Sequence, residues 1–244
     1  MAEKSRKFAL RVRPTRYNYI GMFFSLVGFI LVLLCLVGCR SASGQSLYFA
    51  KITDRPAGNL TILYGLQGYC VLDKTTNCVS DDGVMIVPFD VMVSNMLNAT
   101  YPRLVEDAIE QDQNLNPLAT PTPLHNPKLF PAIVMCLICG GAAFLIGVAR
   151  TAFYRYVQDE HYSRGFLAWG SAVLSLLLVA ECSVMYQNGV KELNVVYPHL
   201  EATEGPGRPI TGVAFAAFAI AGYTYMHGCF AKDDVEIEDG YNPL

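Results

Sequence analysis

The stretch Tyr17-Asn-Tyr-Ile-Gly-Met-Phe-Phe-Ser-Leu-Val-Gly-Phe-Ile-Leu-Val-Leu-Leu-Cys-Leu-Val-Gly-Cys39 places 23 residues without a charge between Arg16 and Arg40. As a helix, about 20 apolar residues suffice to cross the hydrocarbon core of a bilayer. Three further blocks meet the same requirement. There are 21 uncharged residues between Lys128 and Arg150 and 23 between Arg208 and Lys232, and the run from Arg164 to Lys191 holds Glu181 as its one charge. The 244-residue chain is accordingly 52% hydrophobic and 16% charged, with a mean hydropathy of +0.30. A soluble domain carries about a quarter charged residues. The pattern predicts four membrane spans, at 18–39, 130–149, 166–187 and 209–230. It excludes a soluble enzyme, a nucleic-acid reader and a secreted disulfide scaffold. A net charge of −3 leaves no basic surplus for phosphates.

Orientation follows from the basic residues near the span ends. The N-terminal tail, 1–17, carries Lys4, Arg6, Lys7, Arg11, Arg13 and Arg16 against the single acid Glu3. The 150–165 connection adds Arg150, Arg155 and Arg164, whereas 188–208 holds only Lys191 and Arg208. Both termini and the 150–165 loop are therefore expected in the cytosol, with loops 40–129 and 188–208 outside. The acceptor triplets Asn59-Leu-Thr61 and Asn98-Ala-Thr100 both fall in the long external loop, where N-glycosylation takes place. Cys70 and Cys78 are the two cysteines of that loop. An even pair in an oxidising compartment reads as a disulfide, worth roughly 2–3 kcal/mol for so small a ring. Leu36-Val-Gly-Cys39 has the look of a bacterial lipoprotein cleavage site. The long basic leader, the three later spans and the glycosylation acceptors argue instead for a first span retained as an anchor.

Within the external loop, Leu60-Thr-Ile-Leu-Tyr-Gly-Leu-Gln-Gly-Tyr-Cys-Val-Leu72 alternates at period two, with 60, 62, 64, 66, 70 and 72 apolar on one face. This predicts a strand. Weaker strands are expected at 46–52 and at 83–87, the latter closed by Pro88, with a turn at Asp81-Asp82-Gly83. Together they predict a small sheet within 46–90. Residues 103–113 read as a short acidic amphipathic helix. From Pro117 to Pro131 five prolines in 15 residues predict an extended strap. Small residues at helix-packing spacing (Ala143 and Gly147, Gly212 and Ala216, Ala217 and Ala221) predict close packing of the spans. Trp169, Tyr223 and Tyr225 are placed to form an inner aromatic belt. The tail 231–244 holds five acids against one lysine and is expected to be disordered. The fold class expected is an all-α membrane protein, a left-handed four-helix bundle whose outer face is capped by a small disulfide-linked β-sheet.

The element with most chemistry is Gly65-Leu-Gln-Gly-Tyr-Cys70, followed by Cys78. Glycines at 65 and 68 let another backbone approach closely, and Cys70 pins its strand to the next. A large loop between the first two spans carrying such an element resembles the claudin-like four-span superfamily, whose motif runs Gly-Leu-Trp, two residues, Cys, then a second Cys. Gln67 stands in the tryptophan position here. The variant with Gly65, Gly68, Cys70 and Cys78 resembles the fungal claudin-like family of calcium regulators and membrane-fusion proteins of mating cells. The fungal family associated with plasma-membrane furrows (eisosomes) shares the layout, but with the tryptophan. The resemblance implies a non-enzymatic plasma-membrane protein that supports low-affinity calcium influx and cell–cell fusion during mating. Its partners would be the lipid bilayer, calcium-channel or fusion-machinery proteins and further copies of itself, with no nucleic acid. No cofactor is implied beyond calcium as a transported or regulatory ion. The alternative is a scaffold that organises membrane domains without conducting ions.

Cation-interacting candidates are the external acids Asp73, Asp81, Asp82 and Asp90, since a carboxylate ring at a pore mouth can select cations, although for any single one of them a solvated acidic surface is the simpler reading. Glu181 is the one acid within a span, and an intramembrane carboxylate is a functional candidate by default. It lies roughly 24 Å from the inner end, across a core of about 30 Å. A third reading, a membrane thiol oxidoreductase, rests on Cys136-Leu-Ile-Cys139; no lysine, arginine or histidine lies near in sequence to lower a thiol pKa. Cys229 is a cytosolic candidate for palmitoylation. His125, His161, His199 and His227 lack metal-ligand spacing.

Overall fold

The computed structural model describes residues 16–41, 44–54, 60–80, 129–153 and 162–230. The first apolar block forms helix α1, Arg16–Val37. It stops two residues short of its expected end because Cys39 takes a left-handed conformation, φ 58°, which a helix cannot continue through. Helix α2, Leu129–Ala152, begins ahead of Pro131. A proline in the first turn costs nothing, its missing N–H having no partner there, so the end of the expected strap is already helical.

The third apolar block gives α3, Tyr162–Cys182, followed by a π-helical turn at Ser183–Gln187 and by α4, Asn188–Val196. This corrects two expectations. The helix starts four residues before 166, and the loop expected from 188 begins as helix. The helical run Ser163–Val195 covers 33 residues, about 50 Å at 1.5 Å per residue, well beyond the roughly 30 Å of a hydrocarbon core. Helix α5, Gly207–Phe230, occupies the last block.

Four helices are thus long and apolar enough to cross a membrane. They pack as a ring in which α5 lies against α1 and α3, and α2 against the same two. The centre is filled by Phe218, which is fully buried and lies so close that a Cβ at Gly28 or Gly140 would come within 2.9 Å of its ring. Of the small residues singled out in sequence, Ala143, Ala217 and Ala221 are buried, and Gly147 lies under Met22 and Tyr225. Gly212 and Ala216 correct the expectation. A Cβ at Gly212 would meet nothing within 4 Å, and Ala216 is exposed. The outward face is apolar, with Phe23, Leu145, Phe166 and Val173 each more than half exposed. Trp169 and Tyr223 are exposed, as a belt requires, but Tyr225 is only 3% exposed and packs inside the bundle.

At one end of the bundle sits an antiparallel sheet of order β4-β3-β2-β1-β5, with β1 Ala50–Asp54, β2 Thr61–Tyr64, β3 Gly68–Leu72, β4 Thr76–Ser80 and β5 Leu200–Glu204. The single strand expected over 60–72 is a hairpin. The alternation breaks at Gly65-Leu66-Gln67, where the Gly65 N–H donates to the Gly68 carbonyl at 2.7 Å. The weak strand at 46–52 is real but displaced, as β1. Neither β4 nor β5 was expected. Ile52, Ile62, Tyr64, Tyr69, Val71, Leu200 and Ala202 share one sheet face and one core with Val190 and Leu193 of α4 and with the ends of the long helices. The outer edge of β5 is satisfied by Asn194: its amide donates to the Ala202 carbonyl at 2.9 Å and its carbonyl accepts from the Ala202 N–H at 2.8 Å. The strand 83–87, the turn at 81–83, the helix 103–113, most of the proline strap and the terminal tails lie outside the described residues.

Candidate functional site

The Gly65–Gly68 hairpin is built around a close backbone approach, and the approaching backbone is the end of α1. A Cβ at Gly65 would run into the Gly38 carbonyl and lie 2.9 Å from the Cys39 Cβ; at Gly68 it would come within 2.5 Å of the Cys39 carbonyl oxygen. Gly38 is itself closed to any side chain by the Leu47 carbonyl. Gln67, between the two glycines, is only 4% exposed. Cys70 and Cys78 face one another in register on β3 and β4 and are disulfide-bonded. The Cys70 Sγ lies 3.6 Å from the Cys39 carbonyl oxygen, and the Cys39 thiol donates to the Leu47 carbonyl at 3.6 Å.

The third helical run reaches the same hairpin. Tyr186, in the π-helical turn, donates its hydroxyl to the Gly65 carbonyl at 3.0 Å. Its ring stacks on Phe49 at 5.1 Å. The Phe49 N–H donates to the Tyr64 carbonyl at 2.7 Å, and its own carbonyl accepts from the Gly205 N–H at 2.8 Å. A π-turn inserts a residue into the helical ladder and re-aims the side chains around it, and here it brings a tyrosine onto the hairpin. The hairpin, the end of α1, the α3–α4 run and the entry to α5 therefore meet at one node.

Gly65, Gly68, Cys70 and Cys78 are thus brought together as expected, and the approaching backbone is identified. Asp73 lies apart, exposed in the β3–β4 turn beside Lys74. Glu181 lies five residues before Tyr186, half-buried, with no ion pair among the described residues. Asp81, Asp82, Asp90, Asn59 and Asn98 lie outside the described residues. Among the described residues no group of three His, Cys, Asp or Glu side chains is arranged to hold a metal ion. Cys136 is engaged in helix packing, its thiol donating to the Ser171 carbonyl at 3.4 Å while the Ser171 hydroxyl donates to the Cys136 carbonyl at 3.2 Å. Cys139 is half-exposed. His199 packs edge-on to Tyr197, and His227 lies between Tyr17 and Tyr223.

Sequence reasoning missed Cys39, Phe49, Tyr186 and Asn194. Gly38-Cys39 carries a signal, a glycine at the end of an apolar run, but the same residues also fit the processing motif Leu36-Val-Gly-Cys39. Tyr186 carried none. At the opposite end of the bundle Arg164 corrects an expectation. Counted as a cytosolic loop cation, it lies within α3 and is 6% exposed. Its guanidinium donates to the Asn18 side-chain carbonyl and lies 5.3 Å over the Tyr225 ring. The Asn18 amide donates in turn to Thr151 at 2.9 Å, so four helices share one polar cluster. No protein-family model matches the chain, and no curated protein sequence matches it either.

Proposed function

We propose that the chain is a claudin-like four-span membrane protein of the fungal mating type, non-enzymatic, which supports low-affinity calcium influx and cell–cell membrane fusion at the plasma membrane. It does so as a regulator that presents its sheet to partners rather than by conducting ions along its own bundle. One observation carries the reading: the Gly65-x-x-Gly68-x-Cys70 hairpin, disulfide-linked to Cys78, is seated on the end of the first helix. That seat is what the motif's glycines are for, and it joins the sheet rigidly to the helices. The filled centre of the bundle, with Phe218 wedged against Gly28 and Gly140, favours the regulator over the conductor. The same feature suits a scaffold that organises membrane domains, which is the second reading.

The test has two arms. The purified protein in calcium-dye liposomes is expected to admit no more calcium than empty liposomes. Mating-competent cells lacking the chain are expected to lose calcium influx and fusion together, restored by the natural chain and not by Cys70→Ser. Flux above the empty liposomes would make this a conductor and turn attention to Glu181. Unchanged influx with altered membrane clustering would leave the scaffold.

A further inference from the structure

Cys39 is fully buried in a small cluster of its own with Leu63 and Cys70, against which Tyr48, Leu72 and Cys78 pack. Its backbone is in the left-handed region, φ 58°, which favours glycine over a side-chain-bearing residue. The cluster lies on the sheet face opposite the main core, because Leu63 pairs with Cys70 and Cys70 with Cys78. A free cysteine and a disulfide therefore share one cluster: the Cys70 sulfur lies 3.6 Å from the Cys39 backbone carbonyl oxygen, and the Cys39 thiol, which donates to the Leu47 carbonyl in the resting state, must turn from that carbonyl to reach it.

We propose that Cys39, Cys70 and Cys78 form a thiol–disulfide exchange site, in which Cys39 can replace Cys78 as the partner of Cys70. The Cys39 sulfur, as thiolate, attacks the Cys70 Sγ; a Cys39–Cys70 bond forms as the Cys70–Cys78 bond breaks. The electron pair leaves on Cys78, which takes up a proton in place of the one Cys39 gave up. The step is redox-neutral and needs no outside oxidant. It would tie the hairpin covalently to the end of α1, untie β4 from β3, and leave a thiol at the half-exposed Cys78. At rest the site stays closed, since Cys39 is fully buried, its thiol is engaged with the Leu47 carbonyl, and the thiolate is the attacking species. Exchange therefore waits on local opening around the hairpin. This inference does not depend on the calcium reading.

The full chain in detergent is alkylated with N-ethylmaleimide at mildly alkaline pH and mapped by mass spectrometry without reduction. In the natural chain, label is expected to accumulate on Cys78 together with a Cys39–Cys70 linked peptide. In Cys39→Ser, labelling of Cys78 is expected to slow by about tenfold or more. Equal rates in the two proteins, or label appearing on Cys39 with the original disulfide intact, would overturn the proposal. A second variant, Cys78→Ser made through the same secretory route, is expected to carry the Cys39–Cys70 link as its main disulfide. Finding both cysteines free in folded Cys78→Ser protein would equally sink it. Should that variant fail to fold, the comparison of the natural chain with Cys39→Ser decides alone.

Discussion

Gly65 sits where a single methyl group decides stability. An added Cβ there meets a backbone carbonyl and the Cys39 Cβ, neither of which is the loose end of a flexible side chain. Gly65→Ala is expected to destabilise by about 1–3 kcal/mol, as overpacking does, and to lower the melting temperature in detergent. Gly212→Ala, with open space around it, serves as the contrast: it should leave melting unchanged or raise stability by about 0.5–1 kcal/mol through helix propensity. Tyr186→Phe keeps the stack on Phe49 and removes the hydroxyl bond to the Gly65 carbonyl, with an expected cost of about 1–3 kcal/mol. The role of the two glycines was legible in the sequence because glycine spacing in a strand signals close approach. Their partner was not, because the backbone they receive lies in a distant turn whose left-handed residue is a cysteine rather than a glycine.

Strand β5 illustrates what local pattern leaves out at the scale of an element. Leu-Glu-Ala-Thr-Glu alternates faintly, with Leu200 and Ala202 inward, but its polar composition is poor in the β-branched and aromatic residues that mark strands. It becomes a strand because β1 offers an open edge and Asn194 satisfies the other side. Asn194→Ala should therefore loosen β5 by about 1–3 kcal/mol, visible as about tenfold or faster hydrogen exchange at the Ala202 amide. A rate unchanged from the natural chain would show that β1 alone holds the strand. Helix α4 was missed for a related reason. Hydropathy falls where a span ends, but helicity need not, and Val190 and Leu193 keep the segment folded by packing on the sheet. The four long apolar helices themselves were legible throughout, since uncharged blocks of this length have few alternatives.

The whole molecule joins segments far apart in sequence at one node, where the end of α1, the Gly65–Gly68 hairpin, Tyr186 and the entry to α5 meet. Its expected orientation puts the sheet and both acceptor triplets outside the cell. Glycosidase treatment of protein made in cells is then expected to increase gel mobility, and the combined Asn59→Gln and Asn98→Gln chain should lack that shift. Cytosolic labelling of an epitope near Thr120 would overturn the orientation. Charge counting was blind to Arg164, because a cation near a span end counts the same whether it is solvated or buried among Asn18, Thr151 and Tyr225.

The order of the sheet has a bearing on biogenesis. Strand β1, made early, has β5 as one of its two neighbours, and β5 emerges only after the third helix is complete. Until then a nascent chain holds a four-stranded sheet with an unpaired edge on β1, the kind of edge that invites wrong pairing. Synthesis of the short connection before α5 is thus the step that closes the sheet. A ribosome stalled before residue 200 would leave the cell an inserted but recognisably unfinished protein, one whose exposed edge a chaperone could read as a measure of age.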